Sequence, residues 1–367
     1  MVNLISQKCW SLLVNSCLLD APIYQLEQSK KQALLLAELN RLNARHYVHC
    51  EAYRKLLTAN HTNILVDDYS DLTPLAVRLF KLMRLSSVSP EQEFKVMSSS
   101  GTTSQVVSQV VLDRATASQQ SRVLVNIMKH WLGAKRLPML IIDHQGLTKN
   151  KQGYSARGAG VQGLSFLGYD HCYALDENMQ IDWPSVQSFY EKHQTGPVLI
   201  FGFTFMVWQH FVEVLRKQER SLPFKQGVLL HSGGWKKLQD KAVDRNTFNA
   251  QVHACLGDVK VHNFYGMVEQ TGSIFVECEQ GHLHAPVYAD VMIRSIENLK
   301  QQQHGDSGLI QVMSALPNSY PGHTILTEDI GRILGQDDCA CGRKGRYFEV
   351  LGRLPKAEVR GCSDTFQ

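Results

Sequence analysis

The chain reads as an α/β protein, on three observations. Short apolar runs end in glycine or polar turns, amphipathic stretches lie between them, and the last eighty residues turn β-rich with frequent Gly and Pro. Residues 137–143, 198–202, 227–234 and 259–266 are each too short for a helix and too apolar for a loop, so each predicts a buried strand. Residues 116–132 and 182–193 carry the three- and four-residue apolar spacing of helices packed on such strands. The 198–202 run continues into an apolar helix start through Trp208 and Phe211. Ahead of this body, residues 25–57 repeat Leu, Ala and Tyr at helical spacing among Lys, Arg, Glu and Gln, which predicts a helical cap. The expected division is a helical N-terminal cap over 1–90, an α/β body with a β-rich end over 91–353, and a tail over 354–367.

Composition narrows the function classes. Of 367 residues, 44% are hydrophobic and 20% charged, which excludes wholesale disorder. Thirty-eight Lys+Arg against 34 Asp+Glu is a mild excess, and no basic cluster is interleaved with aromatics, so no nucleic-acid partner is expected. The longest uncharged apolar stretch, residues 196–208, falls short of the ~20 residues that span a bilayer, so no membrane span is expected. Residues 1–9 lack a basic region followed by an apolar run, and nine cysteines is an odd number. Together these predict a reduced, cytoplasmic protein whose paired thiols serve metal or catalysis rather than disulfides.

Five local patterns carry chemistry. Ser98 to Ser104 is a loop of small and hydroxyl residues, Ser99, Ser100, Gly101, Thr102 and Thr103 among them, in which backbone N–H groups can converge on phosphate oxygens. It is not a Walker A loop, since no Gly-Lys-Ser/Thr follows, and this disfavours a P-loop kinase. Gly233-Gly234 follows the third apolar run. Tyr265-Gly266 ends the fourth, with Glu269 four residues after the ring. A ring there can stack on a base, and a carboxylate can hold Mg²⁺ against phosphate. Residues 325–331 read as an acidic turn in which Asp329 can accept both hydroxyls of a ribose. Gly352-Arg353 comes last. Taken singly, each is equally an ordinary loop, strand end or turn.

The cysteines add a metal hypothesis. Cys339 and Cys341 lie two apart in a Gly-containing turn, and Cys278 precedes His282 and His284. Three thiols and one imidazole form a common tetrahedral zinc set, so Cys278, His284, Cys339 and Cys341 are candidate ligands, with His282 competing for the imidazole position. His231, His253 and His262 flank apolar runs and read as structural. The aromatic run Phe201, Phe203, Phe205, Trp208 and Phe211 fits either an acyl channel or plain core.

The order of the five patterns resembles that of the acyl-adenylate-forming superfamily, which activates carboxylic acids with ATP. Residues 232–236 (Ser-Gly-Gly-Trp-Lys), 244–249, 51–55 and 72–81 are further similar to the long-chain acyl-protein synthetase family of the bacterial luciferase fatty-acid reductase system. Phenylacetate–CoA ligases are the next relatives. The resemblance implies the large domain of an adenylate-forming enzyme, with its helical N-terminal cap and β-rich C-terminal part, and without the small domain that follows the Gly-Arg hinge in two-domain members. It implies ATP and Mg²⁺ as requirements: Ser99 to Thr103 around the phosphates, Gly233 and Gly234 against adenine, Tyr265 stacked on it, Glu269 on Mg²⁺, Asp329 on ribose and Arg353 near the phosphate. It also implies an acyl acceptor cysteine close to the C-terminus, which here is Cys362, and an acyl-transferase, reductase or acyl carrier protein as partner. One departure is plain. The superfamily loop continues with Gly and Lys, whereas residues 104–109 contain neither, so Lys236, Lys237 or Arg114 is expected to supply the cation. Alternative readings are an acyl- or aryl-CoA or carrier-protein ligase, and a catalytically weak adenylate-binding subunit.

Overall fold

The computed structural model describes residues 18, 20–99, 107–148, 156–235 and 242–354. The N-terminal part holds helices α1 (Gln28–His49) and α2 (Glu51–Ala59), strands β1 (Leu75–Ala76), β2 (Lys95–Ser98) and β3 (Gln109–Leu112), and helix α3 (Arg114–Leu132). The middle part alternates β4 (Leu137–His144), α4 (Ala156–Leu164), β5 (Gly168–Leu175), α5 (Trp183–His193), β6 (Pro197–Phe203), β7 (Phe224–Ser232), α6 (Arg245–Leu256) and β8 (Gly257–Tyr265). The last part is all strand: β9 (Phe275–Glu277), β10 (Leu283–His284), β11 (Ala289–Arg294), β12 (Gly308–Ser314), β13 (Thr324–Gln336) and β14 (Arg346–Arg353).

Two compact units result. Among the described residues, one comprises 18, 20–99, 107–127 and 266–354, the other 128–148, 156–235 and 242–265. In the second, β5-β4-β6-β7-β8 form a parallel sheet. Helices connect successive strands, so both faces are covered and central β4 and β6 are apolar almost throughout. The segment after β6 winds from α-helix (Thr204–Met206) through one π-helical stretch (Val207–Val212) and back (Glu213–Lys217). Phe201, Phe203, Phe205, Trp208 and Phe211 are all buried there.

In the first unit, β11-β12-β13-β14-β10-β9 pair antiparallel where they neighbour, β1 adds to β13 in parallel, and β2 and β3 form a separate hairpin. Helix α1 turns Leu35, Leu39 and Leu42 inward at the helical repeat, each fully buried and worth roughly 2 kcal/mol. Cys50, at φ −118° and ψ 103°, separates α1 from α2. Residues 325–331, expected as an acidic turn, lie instead inside the 13-residue strand β13. The acidic pair is tolerated in a strand because each carboxylate meets a cation: Arg78 binds Glu328, and Arg353 on β14 stands directly across from Asp329. No described helix is long and apolar enough to cross a membrane.

The first unit also buries a histidine pair. His46 of α1 stacks on His323 with centroids 5.1 Å apart, the first bonded to Ser87 and to the Pro317 carbonyl, the second to Asn43. Burial pushes His323 down to about 3 and holds His46 well below its ordinary value, with the facing ring adding to the effect at His46. In the unfolded chain each histidine takes up a proton near pH 6.5, whereas the buried rings stay neutral far lower, so stability present above that pH is lost as pH falls. Between pH 7 and 5, above most carboxylate titration, the free energy of unfolding measured by urea titration is expected to fall by up to about 1.4 kcal/mol per pH unit for each such histidine. A flat profile over that range would contradict their neutral burial.

Candidate nucleotide and metal-binding sites

In the second unit the candidate residues sit at the carboxyl ends of adjacent parallel strands, where open α/β sheets bind ligands. Gly233 and Gly234 follow β7, and both are exposed. Gly233 takes φ +81°, a conformation that favours glycine, and a Cβ there would stand 3.3 Å from the Phe203 ring at the end of β6. Around Gly234 no heavy atom of the described residues would meet a Cβ within 4 Å, so a flat ligand can lie against the bare backbone. Tyr265 closes β8 and is half-buried. The Ser232 hydroxyl donates to the Phe264 carbonyl at 2.8 Å and ties the two strand ends together.

The same edge shows what the histidines do. His231 is buried with its Nδ1 2.9 Å from the Thr204 hydroxyl, which also donates to the Ser232 carbonyl. Its ring packs on Phe248, and Phe248 stacks with Trp208. Burial pushes His231 down to about 3, with His262 and Arg245 contributing, so it is a neutral structural group.

The β2–β3 hairpin of the first unit flanks the Ser/Thr/Gly segment. Ser99 is its one described candidate; its backbone N–H donates to the Ser108 carbonyl and its hydroxyl accepts from the Ser108 N–H at 2.9 Å, closing the loop's base. Ser100, Gly101, Thr102, Thr103, Lys236, Lys237 and Cys362 lie outside the described residues. Arg114, the third candidate cation, lays its guanidinium over the Phe94 ring at 4.4 Å. Glu269 lies in the single 3₁₀ turn Val268–Gln270 after Gly266, and is buried. Asp329 and Arg353, both candidates, are brought together as an ion pair at 3.3 Å.

The thiol cluster is the most fully assembled of the candidate sites. Donor atoms of Cys278, His284, Cys339 and Cys341 all lie within 4.8 Å of one another. Cys278 Sγ is 3.9 Å from Cys339 Sγ, and His284 Nε2 is 3.3 Å from Cys341 Sγ. His282, the competitor, reaches Cys339 Sγ with its Nδ1 at 3.3 Å and lies stacked on Tyr347. Burial raises the Cys278 thiol and pushes Cys339 up to about 12. Cys341 is also penalised by burial, yet the backbone and side chain of Arg343 bring its thiol below the ordinary value. Burial holds His284 to about 3, so its imidazole is neutral with a lone pair to give. Three thiols and a neutral imidazole this close are the donor set that a tetrahedral soft-metal site needs.

The cluster's loop does a second job that motif reading missed. Helix α1 has no cap of its own; Asp337, from the turn that leads to Cys339, accepts from the Gln28 N–H with both oxygens at 3.0 Å and from the Gly345 N–H at 2.8 Å. Lys344 N–H donates to the Tyr24 carbonyl, and Tyr24 sets its ring edge-on to His284. Partners more than 300 residues apart leave no local pattern to find.

The fold is that of adenylate-forming ligases. It superposes on an open conformation of 2-hydroxyisobutyryl-CoA ligase in complex with 2-HIB-AMP and CoA, with a TM-score of 0.69 at 15% identity, over 91% of this chain and 77% of that one. The same ligase in its thioesterification state gives 0.68 at 16% identity, over 90% and 69%. The description "Acyl-protein synthetase, LuxE" matches residues 3–367, and the chain belongs to that family. Among its relatives are the long-chain-fatty-acid–luciferin-component ligases of Vibrio harveyi and Aliivibrio fischeri. Each is 24% identical, over 87% of this chain and 83% or 84% of the relative.

If Asp337 holds α1 as described, Asp337→Ala lowers the stability measured by urea titration by about 1–2 kcal/mol. An unchanged transition would mean that the helix end is held by its other contacts alone.

Proposed function

We propose that the chain uses ATP to convert a carboxylic acid, a long-chain fatty acid in the first place, to acyl-AMP and pyrophosphate, and then passes the acyl group to a protein thiol. The observation that carries this reading is family membership over residues 3–367, combined with exposed, side-chain-free Gly233 and Gly234 beside Tyr265 at the strand ends. The acid needs no general base, because it arrives as a carboxylate; the difficulty is bringing two anions together. Ser99 to Thr103 offer N–H and hydroxyl donors to the phosphates, Tyr265 stacks on adenine, Asp329 accepts from ribose, and Arg353 adds a cation at the strand end. Glu269 would hold Mg²⁺, whose charge would offset that of the phosphates and favour pyrophosphate as the leaving group. In the second step the Cys362 thiolate attacks the acyl carbonyl and AMP leaves. A reductase, acyl-transferase or acyl carrier protein then takes the acyl group from the thioester.

Cys278, His284, Cys339 and Cys341 would hold a structural Zn²⁺, consistent with their donor distances and with thiols that stay reduced in a cytoplasm. The fold shared with a CoA ligase supports a second reading, in which the thiol is that of CoA or a carrier protein.

ATP–pyrophosphate exchange with short, aromatic and long-chain acids tests the first step. Exchange is expected with long-chain acids and without CoA, and Glu269→Gln should slow it by about 100-fold or more. No exchange with any acid would overturn the proposal, and acyl product formed only after CoA is added would favour the second reading. Elemental analysis should find about one zinc per chain; none would remove the zinc assignment.

A further inference from the structure

Gln270 follows Glu269, and only 1% of its surface is exposed. Its side-chain amide donates twice, to the Gly322 carbonyl at 2.8 Å and to the Val312 carbonyl at 3.2 Å. Gly322 precedes β13, whereas Val312 belongs to β12, so one side chain joins two separate elements behind the Glu269 turn. The amide orientation is unambiguous, because turned over it would set its oxygen against two carbonyls.

Neighbouring residues are shaped for the same contact. A Cβ at Gly322 would stand 2.8 Å from the Glu269 carbonyl oxygen, so glycine lets the loop close on the turn. Gly272 takes φ +90°, and a Cβ there would stand 2.8 Å from the Gln120 carbonyl. Thr271 bonds back to the Val268 carbonyl, the Ser273 N–H donates to the Gln270 carbonyl, and Ser273 shares a 2.7 Å hydrogen bond with Ser314 at the end of β12. The turn is therefore fixed from both sides. Glu269 itself sits on only three residues of 3₁₀ helix, too short to hold a carboxylate in place unaided.

We infer that Gln270 is a positioning residue: its two hydrogen bonds to Val312 and Gly322 fix the Glu269 carboxylate where it meets the nucleotide-bound divalent cation. This rests on the reading of Glu269 as the Mg²⁺ ligand. A preorganised ligand loses less freedom when the ion arrives, so the effect falls on metal-loaded nucleotide rather than on nucleotide alone.

The test is calorimetric binding of a non-hydrolysable ATP analogue to the full chain, with and without Mn²⁺ as the Mg²⁺ stand-in. Gln270→Met keeps roughly the length of the side chain and removes both donations. The ratio of metal-loaded to metal-free affinity is expected to fall about tenfold, with metal-free affinity unchanged. In exchange assays half-saturating Mg²⁺ should rise about tenfold, while the rate at saturating Mg²⁺ stays within about threefold. Should Gln270→Met not fold, Gln270→Leu, also without a donor, serves in its place with the same expectation. A folded variant with an unchanged affinity ratio overturns the proposal. A Glu269→Gln control with an unchanged ratio overturns the Mg²⁺ reading beneath it, and a fallen ratio in that control leaves Gln270 as the only point at issue.

Discussion

Asp290 is the constraint on which the β-rich unit depends. It is wholly buried on β11, and Lys31 of α1 and Arg346 of β14 each stand 3.6 Å from its oxygens, while the Gln28 amide donates to it at 2.6 Å. Burial alone would raise its pKa; Lys31 and Arg346 outweigh that and bring the carboxyl below its ordinary value. Burial acts the other way on Lys31 and lowers it, Asp290 only partly restoring the charge. Breaking such a buried set by removing one member costs about 3–5 kcal/mol. These contacts fix where helix α1 docks, and docking there brings it to the turn that bears Cys339 and Cys341.

The same pattern recurs around the candidate residues of that unit. Polar side chains there are held by partners distant in sequence: Glu328 by Arg78, Asp329 by Arg353, and the Glu269 turn by carbonyls of β12 and of the loop before β13. In the parallel unit the corresponding feature is the lack of side chains at Gly233 and Gly234, with Phe203 behind.

Legibility followed the range of the interaction. The strands of the parallel unit were readable because a strand covered on both faces must be apolar along its length, as β4 and β6 are. The thiol cluster was readable because Cys339 and Cys341 are two apart and His284 is six after Cys278. Residues 325–331 misled, since Thr-Glu-Asp-x-Gly has the composition of a turn; the cations that make it a strand, Arg78 and Arg353, come from elsewhere in the chain. Asp290 with Lys31, and Asp337 with Gln28, were invisible for the same reason. Hydrophobic periodicity reports local burial, whereas a buried charge network reports only the finished fold.

An activated acid is proposed to end on a thiol of this chain. Incubating it with radiolabelled long-chain acid, ATP and Mg²⁺, without CoA, and comparing wild type with Cys362→Ser measures this most directly. Hydroxylamine-sensitive label is expected on the wild-type chain and none on Cys362→Ser, with ATP–pyrophosphate exchange unimpaired in both. Equal labelling of the two chains would contradict it.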